Sequence, residues 1–197
     1  MSRLARFDRS VDRGFEPLRH RALADWVFYP ASAAGEHSLV WFLLAGARAL
    51  RATGPRDRRA AARAAVGLAV EWTLVNGALK SLVRRRRPDA AGARPLYLRV
   101  PRSSSFPSGH ASAAAFAMVV LGEGDPWWPA YAALALVIAA SRVHVRIHHA
   151  SDVLAGLSVG LLLGALARHV APLPREPGSL GSPHDRRPSG PLSTSGS

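Results

Sequence analysis

Two stretches, PWWPAYAALALVIAASRV at 126–143 and VLAGLSVGLLLGALARHV at 153–170, are apolar on every face of the helix each would form. An amphipathic surface helix keeps a polar face; a helix apolar all round needs lipid or a large core on every side. Both approach the roughly 17–25 residues that cross a bilayer. Segments of similar character lie at 31–50, 64–83 and 109–121, although Glu36 and His37 enter the first, Glu71 and Asn76 the second, and the third is short. A soluble Ala/Leu-rich bundle would share the composition, but apolarity round the circumference favours lipid. The expected fold is all-α, a polytopic transmembrane helical bundle of five to six membrane helices. The sixth would lie at 18–32, interfacial or short, with Trp26 and Tyr29 as headgroup-level aromatics.

Helix punctuation agrees with these boundaries. Asp125-Pro126 offers an N-cap followed by proline at the first helical position, and Pro107-Ser108 begins the third apolar run, at 109–121, in a similarly capped manner. Pro88 closes the second helix after four arginines. The expected organisation is a charged or interfacial segment over 1–30, a membrane-embedded domain over 31–170, and a Pro/Gly/Ser-rich disordered tail over 171–197. The N-terminus alternates acid and base without an apolar core, so it is not expected to be a cleavable signal peptide. Cysteine is absent, which excludes disulfide and thiol chemistry.

Charge is lopsided, with 26 basic residues against 13 acidic, yet Lys80 is the single lysine. With five spans, loops 84–107 and 142–152 share one face, while loop 51–63 and the tail share the other. Loop 51–63 is basic without obvious chemistry and is expected to be cytoplasmic. The basic loops 84–107 and 142–152 then break the positive-inside rule, which suggests that their charges serve another purpose.

Three polar clusters sit on that second face. In LKSLVRRRRPD, Lys80, Arg84 and Arg87 would form one stripe on a helix, a pattern that headgroup snorkelling also produces. In SSSFPSGHAS, Ser108 occupies an N-cap position, Gly109 admits a ligand close to the backbone, and His110 falls in the first turn of a helix whose N–H groups attract anions. In SRVHVRIHHASD, Asp152 stands four residues from His148 and three from His149, so a carboxylate could orient either imidazole. His144, His148 and Asp152 could also bind a metal, but the neighbouring cations favour an anion and no second carboxylate cluster exists. Together the clusters could hold a tetrahedral phosphate while one histidine attacks and another protonates the leaving oxygen.

These segments resemble the type-2 phosphatidic acid phosphatase family, whose superfamily includes vanadium-dependent haloperoxidases. Lys80…Arg87-Pro88, Pro107-Ser108-Gly109-His110 and Ser141-Arg142…His148…Asp152 match its three ordered motifs at every spacing. The resemblance implies that His148 is the nucleophile of a phosphohistidine intermediate, that Asp152 orients it and that His110 is the general acid. It further implies that Lys80, Arg87, Ser108, Gly109 and Arg142 bind phosphate, with no metal or other cofactor. Arg84–Arg86, Arg146, His144 and His149 fall outside the pattern and are expected to be surface or headgroup contacts.

The implied protein is a multi-pass cell-membrane lipid phosphatase with its site on the extracytoplasmic face. Its partners are the bilayer and a lipid phosphate, with a polyprenyl-linked envelope lipid as first candidate. The alternatives are a haloperoxidase-like oxidase, disfavoured by chain size, and a basic membrane or nucleic-acid-binding protein. The last explains the charge but neither His148–Asp152 nor the placement of Lys80, so no nucleic-acid partner is expected.

Overall fold

A computed structural model describes residues 2–89 and 95–174 of the chain. Seven helices are present among the described residues: α1 Arg3–Phe15, α2 Ala22–Ala34, α3 Leu39–Leu50, α4 Pro55–Trp72, α5 Gly109–Gly122, α6 Trp128–His144 and α7 Ala150–Val170. Helix α4 continues through a π-helical stretch, Thr73–Leu79, into a last α turn at Lys80–Leu82. The tail beyond 174, expected to be disordered, lies outside the described residues.

Helix α5 is the hub, packed against α4, α6 and α7. Its alanines keep it thin, and Gly156, Gly160 and Gly164 of α7 let the two backbones approach. A Cβ at Gly156 or Gly160 would collide with the carbonyl oxygen of Ser108 or Ser112. Small residues at four-residue spacing produce this close packing. Larger side chains fill the other side of α5, where Trp41, Leu68, Phe116, Leu121 and Ile138 form the main core.

The segment expected to be one span at 31–50 is two helices. Gly35–Ser38 breaks it, with His37 and Ser38 both left-handed at φ 51° and 59°. Two successive residues in that region cannot continue a right-handed helix. Helix α2, the expected sixth element, straddles residue 30 and lies along the C-terminal half of α6: Asp25 bonds His144 and Ser32 bonds Arg142. Of the described helices, Ala150–Val170 alone combines the length and apolarity to cross a bilayer, while Gly109–Gly122 is apolar but shorter.

The bundle has two polar ends. At one, Arg48 reaches the carbonyls of Leu121 and Glu123, and Arg63 reaches Glu123 and Ala171. At the other meet the end of α4, the start of α5, the end of α6 and the start of α7. All three motif segments lie there.

Candidate active site

A cavity of about 310 Å³ at this second end is lined by Lys80, Arg87, Gly109, His110, Arg142 and His148. The Gly35–Ser38 turn, Trp72 and Arg99 also line it. Lys80 is held by Asn76, one turn back in the π-helical stretch, whose Oδ1 accepts from Nζ at 2.7 Å. Arg142 is buried and bonds the Ser32 hydroxyl. His110 sits in the first turn of α5, its Nε2 buried without a hydrogen-bond partner. Such an atom beside clustered cations suits a ligand that supplies the missing bond.

The expected stripe of Lys80, Arg84 and Arg87 does not form, because the helix stops at Leu82 and Val83 is extended (φ −120°, ψ 107°). Alternation along extended chain turns Arg85 and Arg87 inward and leaves Arg84 and Arg86 exposed. Arg87 donates to the carbonyls of Ser103, Ser104 and Ile147 at 3.3, 3.2 and 3.0 Å. Those bonds fix its guanidinium 3.3 Å from His148 Nε2.

His148 is buried in the turn between α6 and α7. Its Nδ1 lies 2.7 Å from the Ser105 carbonyl, which can only accept, so Nδ1 carries the proton and Nε2 presents a lone pair to the cavity. Burial, reinforced by Arg142, Arg87 and Lys80 against the pull of Asp152, depresses the imidazole from 6.5 to about 3. The ring is therefore neutral at pH 7, the form a nucleophile requires.

Asp152 is fully buried behind the ring, with Oδ2 3.8 Å from Nδ1. That oxygen accepts from Ser105 Oγ at 2.5 Å and His149 N at 2.9 Å; Oδ1 accepts from Arg85 Nη1 at 2.5 Å. Ser108 points away from the cavity contacts: its Oγ caps α5 by accepting from Ala111 N at 3.4 Å, and its own N–H donates to the Asp152 carbonyl. Among the described residues, no three His, Asp or Glu side chains are grouped to share a metal ion.

Of the residues expected at the surface, His144 is buried, while Arg85, Arg146 and His149 are half-buried and paired. Arg85 bridges Asp152 and Asp8. His144 is buried, its Nε2 2.9 Å from Asp25 Oδ1 and its ring 4.6 Å from that of Phe28. His149 caps α7 in a reciprocal arrangement with Asp152. Arg146 pairs with Glu16 at 2.6 Å. Glu71 is buried at the inner wall of an apolar groove of about 300 Å³ beside Val70, Leu74 and Phe116, its two oxygens without hydrogen-bond partners.

The PAP2 superfamily profile matches residues 60–175, a stretch holding all three motif segments. The chain belongs to the PAP2 superfamily. Its relatives in that family include the decaprenylphosphoryl-5-phosphoribose phosphatase of Mycobacterium tuberculosis, 36% identical over 138 residues that cover 69% of this chain and 74% of the relative. Phosphatidylglycerophosphatase B of Bacillus subtilis is 37% identical over 108 residues, 48% of this chain and 50% of its own. The crystal structure of a transmembrane PAP2-type phosphatidylglycerolphosphate phosphatase from Bacillus subtilis superimposes with a TM-score of 0.65 at 23% identity, covering 86% and 87% of the two chains. The all-helical PAP2 fold expected from the motifs is thus present, and the chain is a PAP2 enzyme whose relatives are lipid phosphatases.

Proposed function

We propose that this protein is a multi-pass membrane phosphatase that hydrolyses a lipid phosphate by double displacement on His148. The observation that carries the reading is the convergence of Lys80, Arg87, Gly109, His110, Arg142 and His148, from three separate stretches of sequence, on one cavity. Lys80, Arg87, Arg142 and the N-terminus of α5 hold the phosphate oxygens. His148 Nε2 attacks phosphorus as the bond to the lipid oxygen breaks, and His110 protonates that oxygen. Water then attacks the phosphohistidine, surrendering its proton to His110, and orthophosphate leaves as the N–P bond breaks. Asp152 and the Ser105 carbonyl hold the ring through both steps.

The bilayer reading rests on exposed apolar side chains along the bundle, including Leu43, Val66, Leu136, Leu154 and Leu162, with Trp26 exposed toward the site end and Trp127 and Trp128 at the opposite end. Helix α7 has the length and apolarity to cross, and in this reading α3–α6 lie in the bilayer around it; α1 packs on α7 and α2 on the C-terminal half of α6, at the site end. The opposite end carries Arg51, Arg56, Arg58, Arg59 and Arg63 and is cytoplasmic, so the cavity opens extracytoplasmically. The substrate class we favour is a polyprenyl-linked phosphate, the class named for the mycobacterial relative.

Phosphate release by detergent-purified protein with EDTA, across polyprenyl and glycerolipid phosphates, tests the reading. Release that ignores EDTA, favours polyprenyl lipids and vanishes in His148→Ala is expected. Undiminished release by His148→Ala would refute the mechanism.

A further inference from the structure

The matched family stretch begins at residue 60, yet helix α1, far upstream, is bonded to the candidate catalytic loop. Asp8 is 6% exposed; its Oδ1 accepts from Ser151 N at 2.8 Å and its Oδ2 from Ser151 Oγ at 3.0 Å. The same Oδ2 accepts from Arg85 Nη2 at 2.6 Å. Through Nη1, Arg85 donates to Ser151 Oγ at 2.7 Å and to Asp152 Oδ1 at 2.5 Å. One guanidinium thus joins a carboxylate of the N-terminal helix to the carboxylate behind His148, using its planar fork on two acceptors as lysine could not.

The placement of Asp8 follows from its helix. Val11 and Phe15 pack with Ala150 and Val153, and Asp8 lies one turn before Val11 on the same face. Burial alone would raise the Asp8 carboxyl, but the bonds from Ser151 and Arg85 outweigh it and hold the group below its ordinary value, so it stays ionised. Helix α1 also walls a cavity of about 400 Å³ on the far side of the His148 turn, lined by Asp8, Asp12, Arg85, Arg146 and His148. Arg19, just after α1, caps α6 by donating to the carbonyls of Val143 and His144. The turn bearing His148 is therefore gripped at both ends by the N-terminal segment.

We propose that Arg85 and Asp8 are positioning residues for the phosphatase reaction, a relay through which helix α1 fixes Asp152 and the His148 turn. Arg85 is not among the residues that line the 310 Å³ cavity with His110, Arg142 and His148, although it shares a neighbouring groove with Lys80 and Arg87. Removing it leaves Asp152 buried with half of its acceptors unmet, so the loop relaxes while the phosphate cradle remains.

The relay rests on the phosphatase reading for its kinetic consequence but not for its structural one, so two readouts are paired. Turnover and KM for a polyprenyl phosphate, and the rate at which diethyl pyrocarbonate modifies His148, mapped by mass spectrometry, would be measured in detergent. The proteins are wild type, Arg85→Ala, Arg85→Lys, Asp8→Asn and the double variant Asp8→Asn/Arg85→Ala. Arg85→Ala should lower kcat by about 100-fold with KM within about twofold, the size of effect a loosened catalytic geometry produces. His148 modification should quicken by about tenfold, Asp8→Asn should fall between, and Arg85→Lys should recover part of the loss. The double variant should lose less than the product of the two single losses, since both residues hold the same Ser151–Asp152 turn. Unchanged His148 labelling in Arg85→Ala, losses that multiply in the double variant, or a loss carried by KM would each overturn the relay. Wild type inactive on every lipid would fail the phosphatase reading alone, and the labelling rates would still decide the relay.

Discussion

His148 donates its Nδ1–H to the carbonyl of Ser105 at 2.7 Å, while the nearer oxygen of Asp152 stands 3.8 Å away. Asp152 acts from behind, through its bond to the Ser105 hydroxyl and its charge. The two partners should therefore separate on mutation. Ser105→Ala keeps the carbonyl and loses one bond to Asp152, so kcat should fall by about tenfold. Asp152→Asn removes the charge that balances an imidazole becoming cationic and sets an amide against Arg85, so kcat should fall by about 100-fold or more. Steady-state turnover on a lipid phosphate measures both, and equal losses would contradict the division of labour.

Acid should destabilise the fold through His148. The folded imidazole, depressed by burial to about 3, refuses a proton that the unfolded chain accepts near 6.5. Between those values the unfolded state binds more protons, so stability rises with pH and is lost as pH falls below about 6.5. From pH 7 to pH 5 this group alone costs about 2 kcal/mol, and His148→Asn lacks it. Unfolding midpoints of the two proteins in detergent at pH 5 and pH 7 test the sign: the wild-type midpoint should drop further. A smaller drop in wild type would mean that the imidazole is charged in the folded protein.

The parts legible in the sequence share a physical character. The two helices apolar round their whole circumference are written locally, and both reappear, as Trp128–His144 and Ala150–Val170; the motif segments, also local, meet at one end of the bundle. The rest depends on conformation or distant partners. Four consecutive arginines carry no period of their own, and only the switch to extended chain at Val83 makes Arg85 and Arg87 the inward pair. Asp8 looks like one more charge in an alternating helix until α1 is docked on α7. His144 resembles its histidine neighbours, but Asp25, 119 positions away, buries it. The break at Gly35–Ser38 had a trace in Glu36 and His37, polar residues within an apolar run.

Gly35 should prove intolerant of any side chain. A Cβ there would lie 2.7 Å from His110 Cδ2 and 3.0 Å from Ile138 Cγ2. Since Gly35 has an ordinary φ of −75°, backbone strain plays no part and the conflict is with the ring. Gly35→Ala should displace His110 and lower kcat by about 10- to 100-fold, leaving competitive inhibition by orthophosphate within about twofold because Lys80 and Arg87 are untouched. Weakened orthophosphate inhibition alongside the kcat loss would show instead that the turn shapes the phosphate cradle.

Arg48 predicts the opposite signature, stability without chemistry. It is 2% exposed at the end of the bundle remote from His148, donating to Asp57 at 2.9 and 3.2 Å and to the carbonyls of Leu121 and Glu123. These contacts tie the α3–α4 connection to the turn after α5. Arg48→Ala strands the carbonyls of Leu121 and Glu123 while Asp57, 36% exposed, turns to water, so the loss should be about 2–4 kcal/mol. The unfolding midpoint in detergent should fall on the order of 10 °C. The folded fraction should keep wild-type KM and kcat at low temperature, since nothing between Arg48 and the phosphate cavity moves. A midpoint within about 2 °C of wild type would show that water or lipid headgroups already satisfy those acceptors.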